Sequence, residues 1–337
     1  MAKSYLFCNF AAEMDIFHYP DQSLPAGRFA ATIGFFDGVH LGHQYLLEQL
    51  REDAARHGMK SLAVTFDRHP REVVQAGWQP QLLTTLDEKC ALLAQTGIDA
   101  LAVLRFDSGM AALTARQFMA DVLRDRLHAH LLLTGYDNRF GHHRTETFAD
   151  YERYGRELGI EVVCAQPLSL RTGVGPTLTS TDRHEQDEAV LSSSLVRRLL
   201  ADGDVAGASR CLGHYYSIFG RVVHGEQKGH TLGFPTANLM PCDPQKLIPA
   251  NGAYAVVATL ADSTRHHGMT NIGMRPTFHG EQQTLETNIF DFKQDLYGQP
   301  LQIDFVARLR EEMAFPTPAD LARQLSYDRE EARQPLT

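Results

Sequence analysis

His40 and His43 stand three residues apart where an apolar stretch gives way to a helical one. Residues 31–43 read ATIGFFDGVHLGH: a strand running into Gly34, a turn at Asp37-Gly38, and Gly42 just before the second imidazole. In a first helical turn, rings three apart project to one side. The backbone N–H groups left free at that end, with the positive end of the helix dipole, favour phosphate. The chemistry this spacing points to is polyphosphate binding at a strand–turn–helix entrance. Two other readings fit the same spacing. One is a metal pair, although zinc would need further ligands that no cysteine or HExxH pattern supplies. The other is a helix start with incidental histidines.

Three further segments carry residue types suited to phosphate. Residues 191–198, LSSSLVRR, offer serines that can cap a helix, and Arg197, whose guanidinium fork suits phosphate oxygens. Residues 225–238, GEQKGHTLGFPTAN, are glycine-rich before a Pro-Thr-Ala-Asn end. Backbone amides there can wrap phosphates, and Thr236 and Asn238 are neutral oxygen ligands suited to Mg²⁺ shared with them. A glycine-rich β-turn with a polar end is the plainer reading. Glu286 lies in the strand-like LETNIFDF; from pattern alone it is an exposed glutamate on an edge strand. No Walker A or protein-kinase signature occurs.

The elements that must position these residues fall into two patterns. From residue 28 to about 166, short apolar strands (Phe29–Ile33, Ser61–Phe66, Ala100–Phe106, Leu131–Thr134, Ile160–Ala165) alternate with amphipathic helices. Thr85-Leu86-Asp87-Glu88 and Thr114-Ala115-Arg116-Gln117 fit capping boxes. Such alternation predicts a mostly parallel sheet with helices on both faces, and ligands beyond the carboxyl ends of its strands. A polar stretch at 177–188 predicts a mobile loop, followed by helices at Ser193–Ala201 and Val205–Cys211.

After Gly213 the pattern turns to β. Runs at Tyr216–His224, Ala237–Met240, Ala253–Leu260, His267–Ile272, Thr284–Phe292 and Gln302–Leu309 suggest an antiparallel barrel. A last helix starts at Thr317-Pro318, with Leu321 and Leu325 on its apolar face. The expected fold is a Rossmann-like α/β domain over 1–190, a helical connection over 191–213, and a barrel with a terminal helix over 214–337.

At 337 residues the chain can bury two cores. A formal charge of −9 argues against sequence-independent nucleic-acid binding, though a local pocket can still hold a small anion. Five scattered cysteines without CxxC spacing read as reduced thiols. No signal peptide or membrane-spanning run is visible, so the expectation is a cytoplasmic protein with neither nucleic-acid nor membrane partner. Oligomeric state is not readable.

Residues 34–44, GFFDGVHLGHQ, resemble the GxFDGVHxGHQ of prokaryotic bifunctional riboflavin kinase/FMN adenylyltransferases (FAD synthetases), in which HxGH marks the nucleotidylyltransferase superfamily. The segment TFDRHP (65–70) is similar to the family's TFDPHP, and GYDNRFG (135–141) to GxDFRFG. Residues 191–197 resemble ISSTxIR, and 225–238 resemble GxxxGRxLGFPTAN. Residues 286–292 are similar to ExHxxDF, with further matches at 271–278, 297–298 and 309–311.

The resemblance implies phosphorylation of riboflavin to FMN by ATP in the second domain and adenylylation of FMN to FAD in the first, with Mg²⁺. It implies hydrogen-bond donation by His40 and His43, and nucleotide contacts from Gly34, Phe36, Asp37, Gly42, Asp137, Ser193, Ser194, Arg197, Gly229, Gly233 and Pro235. It further implies metal contacts from Thr236 and Asn238, general-base catalysis by Glu286, and a flavin or nucleotide contact from Arg310.

Departures are Arg68 for proline, Asn138 for an aromatic, Glu146 for glycine, His230 for arginine and Ala314 for lysine. They keep open a kinase with weakened adenylyltransferase activity. A flavin-binding regulator without turnover is the other alternative.

Overall fold

The computed structural model describes residues 14–135, 139–142, 144–168, 191–224, 234–277 and 280–334. The expected loop at 177–188 lies outside them, as do Asp137, Gly229 and Gly233. The described residues divide into two compact units, one ending before residue 176 and one beginning at or after it.

The first unit runs β1 (Asp15–Tyr19), β2 (Phe29–Ile33), α1 (Leu41–Arg56), β3 (Lys60–Phe66), α2 (Pro70–Val74), α3 (Leu86–Ala94) and β4 (Ala100–Leu104). It continues with α4 (Ser108–Ala112), α5 (Ala115–Gln117, passing into a π-helical segment Phe118–Arg124), β5 (Ala129–Thr134), α6 (Phe148–Leu158) and β6 (Glu161–Cys164). All strand pairs are parallel, in the order β1-β4-β3-β2-β5-β6. Capping boxes at Thr85 and Thr114 start α3 and α5 as the sequence predicts.

Every residue of β2 is buried. Its Phe29, Ala31 and Ile33 pack with Leu123 and Tyr151 on one face, while Ala30 packs with Leu47, Leu50 and Leu93 on the other. The chain steps outward from β2 through β3 to β4, then crosses to place β5 and β6 on the opposite side of β2. Doubly wound sheets bind ligands at such a reversal, outside the carboxyl ends of the strands, here beside β2.

The second unit opens with α7 (Ser193–Ala201) and α8 (Val205–Leu212), the latter packed against strands β7 (Tyr216–Val223) and β12 (Pro300–Arg310). With β8 (Ala237–Pro241), β9 (Gly252–Thr259), β10 (Arg265–Thr277) and β11 (Gly280–Ile289), these strands close an antiparallel barrel in the order β10-β11-β8-β7-β12-β9. The last helix, α9 (Pro318–Arg333), starts with Thr317 accepting the Asp320 N–H and lays Leu325 and Ala332 on Ala255, Met269 and Phe290.

Candidate active sites

The turn after β2 is built by inward-facing groups. A Cβ at Gly34 would lie 2.8 Å from the Phe36 ring, so only glycine lets the chain fold over that side chain. Phe36 and Val39 hold left-handed backbone at φ 55° and 41°, a conformation that costs about 1–2 kcal/mol per non-glycine residue. Asp37 holds it in place. Its carboxylate accepts from Leu83 N at 3.0 and 3.2 Å, from Thr84 N at 3.0 Å and from Thr84 Oγ1 at 3.2 Å. Thr84 Oγ1 in turn accepts from Gly38 N at 3.0 Å. Asp37, expected at the nucleotide, is buried, and these bonds fasten the turn.

His40 is the N-cap of α1, and its Nδ1 accepts from His43 N at 3.3 Å. The neutral ring therefore carries its proton on Nε2, the donor it can offer a ligand. The two rings stack with centroids 3.6 Å apart, and the edge of Phe36 meets His43 at 5.3 Å. Burial pulls the pKa of His40 down to about 4, against a smaller opposing effect of a backbone hydrogen bond. His43 lies well below the ordinary range through burial, then repulsion from His40 and Lys89. Both rings are neutral at physiological pH. Among the described residues the buried Nδ1 of His43 has no hydrogen-bond partner. A buried polar atom of this kind calls for a partner.

Lys89 is a residue the motifs do not reveal. Its Nζ donates to Phe35 O and Phe66 O, both at 3.1 Å, and lies 4.1 Å from the centroid of the Phe35 ring. It is 2% exposed. Burial lowers its pKa to about 8, although Asp37, Cys90 and Asp67 favour the charge. The signal available in sequence is a lysine three residues after Leu86 and four before Leu93, inside the apolar stripe of a helix.

Around this centre, Thr65 Oγ1 donates to Phe35 O at 3.2 Å, and His69 packs on Phe35 and Trp78. Gly42 lies in the first turn of α1. Glu146 keeps a buried Oε2 without a hydrogen-bond partner among the described residues. Burial raises the pKa of Tyr151, and the Glu146 carboxylate adds to that rise.

In the second unit, Ser192 takes the capping role on α7, accepting from Leu195 N at 3.3 Å. Ser193 and Ser194 occupy the first turn, with Arg197 one turn on along the same side.

A cavity of about 590 Å³ opens at the barrel, lined by Pro235, Thr236, Asn238, Thr287, His224 and Tyr297 among others. Asn288 Nδ2 donates to Pro235 O at 2.7 Å and so fixes the start of β8. Glu286 stands directly opposite Asn238 on one side and Asn271 on the other, so all three share a face of the sheet. Arg310 grips Asp328 of α9 through Nε at 3.0 Å and Nη2 at 2.8 Å. It is expected at the flavin, and in the structure it ties the last helix to β12.

A family model described as FAD synthetase matches residues 25–175, and one described as riboflavin kinase matches 212–336. The bifunctional riboflavin kinase/FMN adenylyltransferase of Escherichia coli K12 is 37% identical over 303 residues, covering 90% of this chain and 91% of that one. The chain belongs to this bifunctional family.

Other riboflavin kinase/FMN adenylyltransferases, from Haemophilus influenzae and Bacillus subtilis, are 35% and 33% identical over 90% and 89% of this chain, and cover 93% and 90% of their own lengths. A crystal structure described as a macrolide-efflux protein from Streptococcus pneumoniae is similar at 28% identity with a TM-score of 0.82, covering 95% of this chain and 99% of that one. Among the described residues of this family member no helix is long and apolar enough to cross a membrane. The two family spans contain His40/His43 and Glu286 respectively, while Ser193, Ser194 and Arg197 lie outside both.

Proposed function

We propose that this chain makes FMN from riboflavin and ATP at the barrel, and FAD and pyrophosphate from FMN and ATP at the His40/His43 turn. The observation that carries the reading is the stacked pair of neutral imidazoles at a helix start, placed where the parallel sheet reverses.

In adenylyl transfer, a phosphate oxygen of FMN attacks the α-phosphorus of ATP and the bond to the β-phosphate breaks. No protein nucleophile is required. His40 offers Nε2–H, and both rings meet negative charge developing on the α-phosphoryl oxygens as hydrogen-bonding partners. Neutral rings suit this role, because they need not lose a proton to a bound anion. Gly34 and Phe36 shape the turn, and Gly42 leaves the first turn of α1 open to phosphate. Asp137, Ser193, Ser194 and Arg197 are assigned to the nucleotide on the sequence motifs alone.

In the kinase step, the riboflavin 5′-hydroxyl attacks the γ-phosphorus of ATP, its proton passes to Glu286 and ADP leaves. Pro235, with Gly229 and Gly233 by motif, is assigned to this nucleotide. Thr236 and Asn238 supply neutral oxygens, a donor set that fits an ion arriving with phosphates. Among the described residues no cluster of three His, Cys, Asp or Glu could hold a metal ion by itself. Bound with ATP, Mg²⁺ supplies charge neutralisation at the phosphate oxygens. Arg310 serves the flavin indirectly, by holding α9 on the barrel. We assign residues 1–190 to the adenylyltransferase, 191–213 to the connection and 214–337 to the kinase.

The test is to supply riboflavin and FMN separately with ATP-Mg²⁺. Glu286→Gln is expected to abolish FMN formation while FAD still forms from supplied FMN, and His43→Ala to do the reverse. FMN without FAD from the unaltered chain would establish the weakened-adenylyltransferase reading. Flavin binding with neither product would establish a regulator, and loss of both products in either variant would contradict independent sites.

A further inference from the structure

We propose that Lys89 is a positioning residue for adenylyl transfer, its ammonium lacing the ends of β2 and β3 together beneath the histidine turn. The proposal rests on reading that turn as the adenylyl-transfer site. Phe35 is the second residue past β2 and Phe66 the last residue of β3, and Nζ holds both carbonyls at 3.1 Å. The charge also lies against the Phe35 ring, which meets His69 at 4.7 Å. Phe35 immediately precedes Phe36, whose edge packs on His43.

The turn is therefore fixed from two directions. Asp37 is drawn toward Leu83 and Thr84, and Phe35 is drawn toward Lys89 and Thr65. Release of either leaves Phe36 and Val39 free to abandon their left-handed backbone, and His43 moves with Phe36.

A purely structural demand does not account for a lysine here. Among the described residues its buried ammonium makes no ion pair, and two carbonyls and a ring face replace its hydration. A methionine of similar length would fill the space without the cost of burying a charge. What the charge supplies is two directed bonds and a fixed potential beside His43. The groups facing it are Asp37 from the turn, Asp67 from the segment after β3, His43 from α1 and Cys90 from its own helix.

The experiment uses the full chain, with FMN formation as the internal control. Lys89→Met is expected to lower kcat for FAD formation from supplied FMN about 100-fold, the loss that follows a misplacement near 1 Å. KM for ATP should move less than about threefold, because few contacts to bound ATP are lost. FMN formation from riboflavin should stay unchanged.

In the unaltered chain, FAD formation should fall above about pH 8 as the ammonium loses its proton, while FMN formation does not. Substrate phosphates titrate near pH 6 and do not produce that limb. An unchanged kcat in Lys89→Met, or an alkaline limb that persists in it, would overturn the proposal. Should Lys89→Met lose both activities through misfolding, the pH profile of the unaltered chain decides, and a flat profile through pH 9 counts against Lys89. An unaltered chain that makes no FAD at any pH would refute the reading of the site instead.

Discussion

Replacing His40 by asparagine tests the electrostatics of the turn. Asparagine is a good N-cap and can still accept the His43 N–H, so the start of α1 survives while a titrating ring disappears. Burial lowers the pKa of His40 from 6.5 to about 4 in the folded chain. The unfolded chain thus binds this proton more readily than the folded one. The neutral ring's stabilisation is complete above about pH 6.5 and is lost as pH falls toward 4. Two and a half units at 1.36 kcal/mol each set an upper limit of about 3 kcal/mol, of which about 2 kcal/mol is gone by pH 5.

Trp78, the chain's single tryptophan, packs beside His69 in the same unit and reports its unfolding. Urea titrations followed by its fluorescence near pH 7.5 and near pH 5 should show the unaltered chain losing about 2 kcal/mol more than His40→Asn. Equal losses would refute the argument, because they would mean that His40 titrates normally.

Other perturbations have readouts of their own. Gly34→Ala places a methyl group 2.8 Å from the buried Phe36 ring. It should destabilise the first unit by about 1–3 kcal/mol in the same urea assay and depress FAD but not FMN formation. Asp37→Asn can keep an oxygen at the Oδ1 position but turns an amide donor toward the Leu83 N–H that Oδ2 accepts, and it removes the charge that strengthens the remaining bonds. About 2 kcal/mol of stability should go with FAD formation, again with FMN formation spared. Arg310→Met leaves the buried Asp328 without its guanidinium. Thermal melting of the second unit should reveal a loss of about 3–5 kcal/mol, largely recovered by adding Asp328→Leu. Unchanged melting with a raised KM for riboflavin would instead place Arg310 in direct flavin contact.

Much of the fold is legible because its strands are short apolar runs bounded by turns. Phe29–Ile33 is a strand over the same residues that the pattern predicts, and Thr85, Thr114 and Thr317 start the helices predicted for them. The β1 strand escapes such reading. Its DIFHY has little alternation and lies half-exposed at the sheet's edge, so its pairing with β4 supplies the order.

The β10–β11 pair is longer than expected at its Thr277–Gly280 end, because Gly273 and Pro276 hide strand character that cross-strand pairing restores. In the other direction β11 stops at Ile289, short of the expected Phe292. Asp291 adopts φ 56° and is held by Arg329 and Arg333 of α9, a contact no local window contains. The site divides in the same way. The spacing of His40 and His43 announces a helix start, but the inward course of Asp37 and the place of Lys89 depend on what packs beneath them.

The fastening of Asp37 and Gly38 to Leu83 and Thr84 reaches 46 residues along the chain. During synthesis, both imidazoles leave the ribosome well before the segment that aims them. A nascent or truncated polypeptide ending short of Leu83 contains every atom of the pair and lacks the buckle. The aimed pair of imidazoles therefore exists only once β3 is in place and α3 has docked.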